Sequence, residues 1–176
     1  MSGEQLIPIS VQLRQPLFYS DKDCIYAEET LLKKIVLQPI FLYDAAFYAG
    51  VEALKPWEDK EDFIPVLLAE WNEHKHTLDN HFATRNHKAA KVPMKTAIGY
   101  FLELLFWING KPVDLQADPM DLKIKPINLK ERLEFILKRP VFYHAYIQLS
   151  ELIAEMEKQS IKHLTLEKRA KAPGKK

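Results

Sequence analysis

From Pro93 to Ile108 the chain is apolar on nearly every side of a helical wheel, its only polar row being Lys95, Gly99 and Glu103. Side chains four residues apart share a helix face, so that row is one narrow stripe. A helix apolar all round is stable in water only when neighbours enclose it, which makes this segment the central element of a layered fold. It is not a membrane span. The longest apolar stretch, Ala97 to Ile108, is twelve residues and contains Glu103, whereas a span needs about 20. The neighbours also read as helices, because the 176 residues hold 23 Leu against 7 Val and 5 Thr. Leu keeps its rotamer freedom in a helix, whereas β-branched residues lose theirs. No segment alternates with period 2 between Asn-Gly or Asp-Gly turns; the single Asn109-Gly110 follows a helical pattern instead. The expected class is all-α, one compact multi-helix domain of about six helices.

With 47% hydrophobic and 28% charged residues, the composition is that of a folded domain rather than a disordered one. Cys24 is the single cysteine, which excludes an internal disulfide and fits a reducing compartment. The first ten residues carry Glu4 and no Lys or Arg. No secretory signal is therefore expected, and the expected location is the cytoplasm.

Along the chain, residues 1–19 read as an irregular lead-in broken by Pro8 and Pro16, with a weak alternation that has no partner strand. The helical domain is expected over 20–166 and a basic, disordered tail over 167–176. Ser20 to Asp23 reads as an N-cap for a helix with Cys24, Ala27, Leu31 and Ile35 on one side. Pro39 is placed at the start of a second helix reaching about Leu54, and Asp62 at the cap of a third through Phe82. A polar loop from Thr84 to Lys91 then leads to the apolar helix, which Asn109-Gly110 and Pro112 end. Asn128-Leu129-Lys130-Glu131 has the form of a capping box, and Arg139-Pro140 opens the last helix. Three Pro-led segments, beginning at Pro16, Pro39 and Pro140, carry aromatics that read as anchors to the core.

Several segments together resemble a known family. They are Pro16-Leu17-Phe18-Tyr19, Pro56-Trp57-Glu58, Phe106 through Val113, Lys125 through Asn128, Glu131-Arg132-Leu133, and Pro140 through Leu152. The run Phe106-Trp107-Ile108-Asn109-Gly110-Lys111-Pro112-Val113 is the most specific of these. The chain resembles the YpoC-like family of small proteins from Bacillus-type bacteria. That resemblance implies a bacterial cytoplasmic protein, and it carries over no catalytic residue.

Four constellations carry potential chemistry. Glu70, His74 and His81 fall on one face of a predicted helix, and imidazole with carboxylate suits Zn²⁺ or Fe²⁺. Equally, His74 lies in the apolar stripe of Leu67, Trp71 and Leu78, where a histidine can simply be part of the core. The second is a segment from Asn80 to Leu102 that has no Asp or Glu but holds Arg85, Lys88, Lys91 and Lys95. Such a run near a helix start suits phosphate, nucleic acid or an acidic protein segment. Third, residues 158–176 carry a net charge of +6 against −5 for the remaining chain. Fourth, Asp44 and Glu103 sit inside apolar helices, where each needs a partner such as Arg132 or Tyr143.

No Walker loop, Gly-x-Gly-x-x-Gly, Gly-x-Ser-x-Gly or Cys-x-x-Cys occurs, and no cofactor is expected. The reading is a non-enzymatic adaptor or binding module for a protein or nucleic acid. The alternative is a metal-binding bundle or metal-dependent enzyme built on Glu70, His74 and His81.

Overall fold

The computed structural model describes residues 3–171. Five α-helices form the body: α1 (Leu42–Tyr48), α2 (Lys60–Ala83), α3 (His87–Ile108), α4 (Leu129–Lys138) and α5 (Tyr143–Lys171). α3 packs against α2 and α5, and α4 packs against α5. Every residue of α3 from Thr96 to Ile108 is buried, as its all-round apolarity requires.

The class is mostly helical rather than all-α, because the lead-in does find a partner. β1 (Glu4–Pro8) pairs antiparallel with β2 (Cys24–Glu28), with Leu6 opposite Tyr26 and Ile7 opposite Ile25. Ile25 and Ala27 point inward while Tyr26 and Glu28 face solvent. The period is thus two, and the helical spacing of Cys24, Ala27 and Leu31 was coincidental. A single turn of 3₁₀ helix (Leu31–Lys33) follows, so no helix runs from residue 20.

The next helix is also shorter than expected. Pro39 follows a cis peptide bond, and α1 begins only at Leu42, behind Phe41 in the left-handed conformation (φ 65°). Further differences lie at helix starts. α2 begins before Asp62, and α3 begins at His87, so the expected polar loop shrinks to residues 84–86. Asn128 is left-handed (φ 55°) and its side chain makes no capping bond. The capping box is therefore not formed; Asn suits the site because its short polar side chain tolerates that conformation. Helix α5 continues through Lys171, so residues 167–171 are helical instead of a disordered tail. The rest of the expected tail lies outside the described residues.

The polar row of α3 turns out to face the N-terminal segment. Lys95 sits over the Tyr19 ring, with 6.0 Å from Nζ to the ring centroid. At Gly99 a Cβ would stand 2.6 Å from Ile40 Cγ2, so the missing side chain is what lets residues 38–41 cross the helix closely. Glu103 is buried beneath the same crossing, where the Phe41 backbone favours its charged form.

Candidate functional site

One helix end and two helix starts meet at one end of the molecule. α2 closes in a double hydrogen bond in which Asn86 N donates to His81 O (2.8 Å) and Arg85 N to Phe82 O (3.1 Å). This Schellman arrangement requires a left-handed residue, ordinarily glycine, and here Arg85 occupies it (φ 54°). Asn86 then caps α3, its Oδ1 accepting from Ala89 N at 3.1 Å. The start of α5 lies alongside, joined through His87 Nδ1, 3.3 Å from Val141 O.

Between these ends is a cleft of about 460 Å³ lined by Asp79, Phe82, Arg85, His87, Tyr143 and Tyr146. Its floor is aromatic. The rings of Phe82 and Tyr146 stack with centroids 5.0 Å apart and an interplanar angle of 11°. Tyr143 and His87 each meet Phe82 edge-on, at 5.8 Å and 6.1 Å. Tyr143 is 52% exposed, so about half of this side chain is accessible to a ligand. The Tyr146 hydroxyl donates to Asp79 Oδ1 and is 3.3 Å from the Lys75 carbonyl. Burial, reinforced by the Asp79 carboxylate, pushes Tyr146 above its ordinary value, so it stays protonated and keeps donating.

The acid-free run borders this cleft. Arg85, Lys88 and Lys91 are exposed. Lys88, Lys91 and Lys95 lie at i, i+3 and i+7 on α3 and so form a single stripe. Just before α5, Arg139 stacks on the Phe142 ring at 4.8 Å. Phe142 and Tyr143 are exposed, which corrects the reading of that Pro-led segment as a core anchor; Phe18 and Phe41 in the other two are buried.

Glu70, His74 and His81 do not come together as a metal site. Among the described residues, no three His, Cys, Asp or Glu side chains gather in a metal-holding group. His74 instead meets the Tyr100 ring edge-on at 5.5 Å. Burial holds its imidazole below the ordinary value, although Glu70 pulls the other way. That is the chemistry of a core histidine.

Asp44 and Glu103 are fully buried, as expected, but without the partners expected. Asp44 Oδ2 accepts from Trp107 Nε1 (3.0 Å) and Val113 N (2.7 Å), while Asp44 Oδ1 and Glu103 Oε1 have no hydrogen-bond partner among the described residues. Arg132 is engaged elsewhere, with Gln148, Glu155 and the Ile127 carbonyl. Burial raises Asp44 to about 6 and Glu103 well above its ordinary value, with the Asp44 charge adding to the latter. Perturbed acids can be catalytic, but these are sealed from any substrate and serve the fold.

The aromatic floor escaped the sequence because its members come from two helices about sixty residues apart. The available signal was Tyr143-His144-Ala145-Tyr146, where the two tyrosines three apart share a helix face.

A family model described as YpoC-like protein matches residues 61–168, a stretch that contains the whole cleft and its basic border up to Arg139 and Tyr146. The chain is also similar, at 38% identity over 112 residues, to the Bacillus subtilis (strain 168) protein named Uncharacterized protein YpoC. That alignment covers 61% of this chain and 68% of the relative. No solved structure matches. No helix of the described residues is long and apolar enough to cross a membrane. With the family match spanning more than half of the residues, the chain belongs to the YpoC-like family.

Proposed function

We propose that this protein is a non-enzymatic nucleic-acid-binding module of the bacterial cytoplasm that holds single strands at the α2–α3–α5 end. The carrying observation is the pair of exposed cations Arg85 and Lys88 at a cleft lined by the half-exposed Tyr143. Single-strand binding needs those two ingredients together: cations that follow the phosphates and rings on which bases stack. A duplex offers no free base face, so it engages the cations alone. Lys91 and Lys95 extend the cationic track along α3, and the α3 N-terminus adds unpaired N–H groups facing the same charge. An acidic protein segment would use the cations but leave the open ring without a role.

Fluorescence anisotropy with labelled single- and double-stranded DNA at about 50 and 200 mM salt tests this. Single strands are expected to bind more tightly than duplex, with affinity falling steeply as salt rises. The double variant Arg85→Glu, Lys88→Glu should weaken binding to every sequence alike and flatten the salt slope by about 1–2. Absence of binding at low salt overturns the reading and leaves a protein partner as the occupant.

A further inference from the structure

Resting on that reading, we infer that the cleft is a nucleobase pocket that selects guanine, with Tyr143 as the stacking surface and Asp79 as the reader of the base edge. The pocket volume of about 460 Å³ suits a small planar ligand rather than an extended surface contact. The Tyr143 ring is half exposed, while Phe82 and Tyr146 occupy each other's faces and are buried. A base entering the cleft is therefore stacked by Tyr143 and seated over a rigid floor.

What distinguishes the bases is the acid. Asp79 lines the cleft, its Oδ1 accepts from the Tyr146 hydroxyl, and its Oδ2 has no protein donor among the described residues. An ionised carboxylate only accepts hydrogen bonds. Guanine alone presents two adjacent donors on its Watson–Crick edge, N1–H and the N2 amino group. Adenine, cytosine and thymine each place an acceptor next to a donor there, and that acceptor would face the carboxylate. The charges also divide the cleft: Asp79 in its lining repels phosphate, while Arg85 in the lining and the exposed Lys88 next to His87 attract it. A nucleotide is thus oriented with its base toward Asp79 and its backbone along the start of α3. Tyr146 acts as a positioning residue, since its hydroxyl touches Asp79 and its ring forms the floor.

The probes are fluorescein-labelled oligothymidylates of about a dozen nucleotides carrying one central dG, dI, dA or dC. The wild-type chain should bind the dG probe several-fold more tightly than dA or dC. The dI probe, which lacks the N2 amino group, should fall between them. Asp79→Asn should remove the preference and leave the salt slope unchanged. Tyr146→Phe keeps the ring and deletes only the hydroxyl, so it should reduce the preference in a chain with an intact floor. Tyr143→Ala should lower affinity for all four probes roughly tenfold. Equal binding of all four probes by the wild-type chain overturns the guanine pocket and leaves the nucleic-acid reading standing. A preference that survives both Asp79→Asn and Tyr146→Phe overturns the assignment of the reader. Failure to bind any probe at low salt removes the nucleic-acid reading itself.

Discussion

Arg85 shows what a single residue gives up. The Schellman closures of α1, α2 and α3 are built alike: Gly50 N donates to Phe47 O and Val51 N to Ala46 O at the end of α1, and at the end of α3 Gly110 N donates to Trp107 O and Lys111 N to Phe106 O. Gly50 (φ 72°) and Gly110 (φ 75°) take the left-handed position in α1 and α3, whereas α2 uses Arg85 (φ 54°). A side chain in that conformation costs on the order of 1 kcal/mol that glycine avoids. Arg85→Gly is therefore expected to raise the urea midpoint by about 1 kcal/mol of stability while weakening nucleic-acid binding; Gly110→Ala should lower the midpoint. A lowered midpoint for Arg85→Gly would show that the side chain stabilises the closure. At this scale the sequence was informative about charge. The absence of acid between Asn80 and Leu102 marks a run of cations, but it could not reveal the backbone conformation at Arg85.

Among the elements, α3 was the most legible and the N-terminal segment the least. A helix apolar on all sides has one physical solution, enclosure, and the burial of Thr96 through Ile108 follows from it. Residues 20–35 were misread because Cys24, Ala27 and Leu31 match helical spacing as well as Ile25 and Ala27 match a strand, and only pairing with residues 4–8 decides between them. The cleft was legible in its charges and not in its rings, since Phe82, Tyr143 and Tyr146 meet only when α2 and α5 pack. The close crossing over α3 gives an element-level test. Gly99→Ala gains about 1 kcal/mol of helix propensity, yet its Cβ would stand 2.6 Å from Ile40 Cγ2. Overpacking of that kind costs roughly 1–3 kcal/mol, so net destabilisation is expected. In a double-mutant cycle with Ile40→Ala, the double variant should be more stable than the sum of the singles predicts. Additive effects would mean that the two residues do not touch.

For the whole molecule, the buried acids make stability depend on pH. Asp44 rises from 3.8 to about 6 and Glu103 rises well above 4.5, in both cases chiefly through burial. Each holds its proton in the folded chain at pH values where the unfolded chain has released it. Their contribution is fully present below about pH 4 and declines as pH rises through 6 and beyond, with Asp44 worth roughly 3 kcal/mol across that window. Glu103→Gln should match the wild type near pH 4 and exceed it near pH 8, measured as urea midpoints; equal curves at both pH values would contradict a costly buried charge. The same acid, Asp44, joins Trp107 to Val113 across the end of α3, and Asn109 holds the following connection through both backbone groups of Ile124. The run from Phe106 to Val113 is therefore a clasp. It sits about 33 Å, the length of a 22-residue helix, from the cleft at the other end of α3. Asp79, Arg85, Lys88 and Tyr143 lie where that clasp makes no demands, so substitutions there change the surface of the cleft without unfastening the chain.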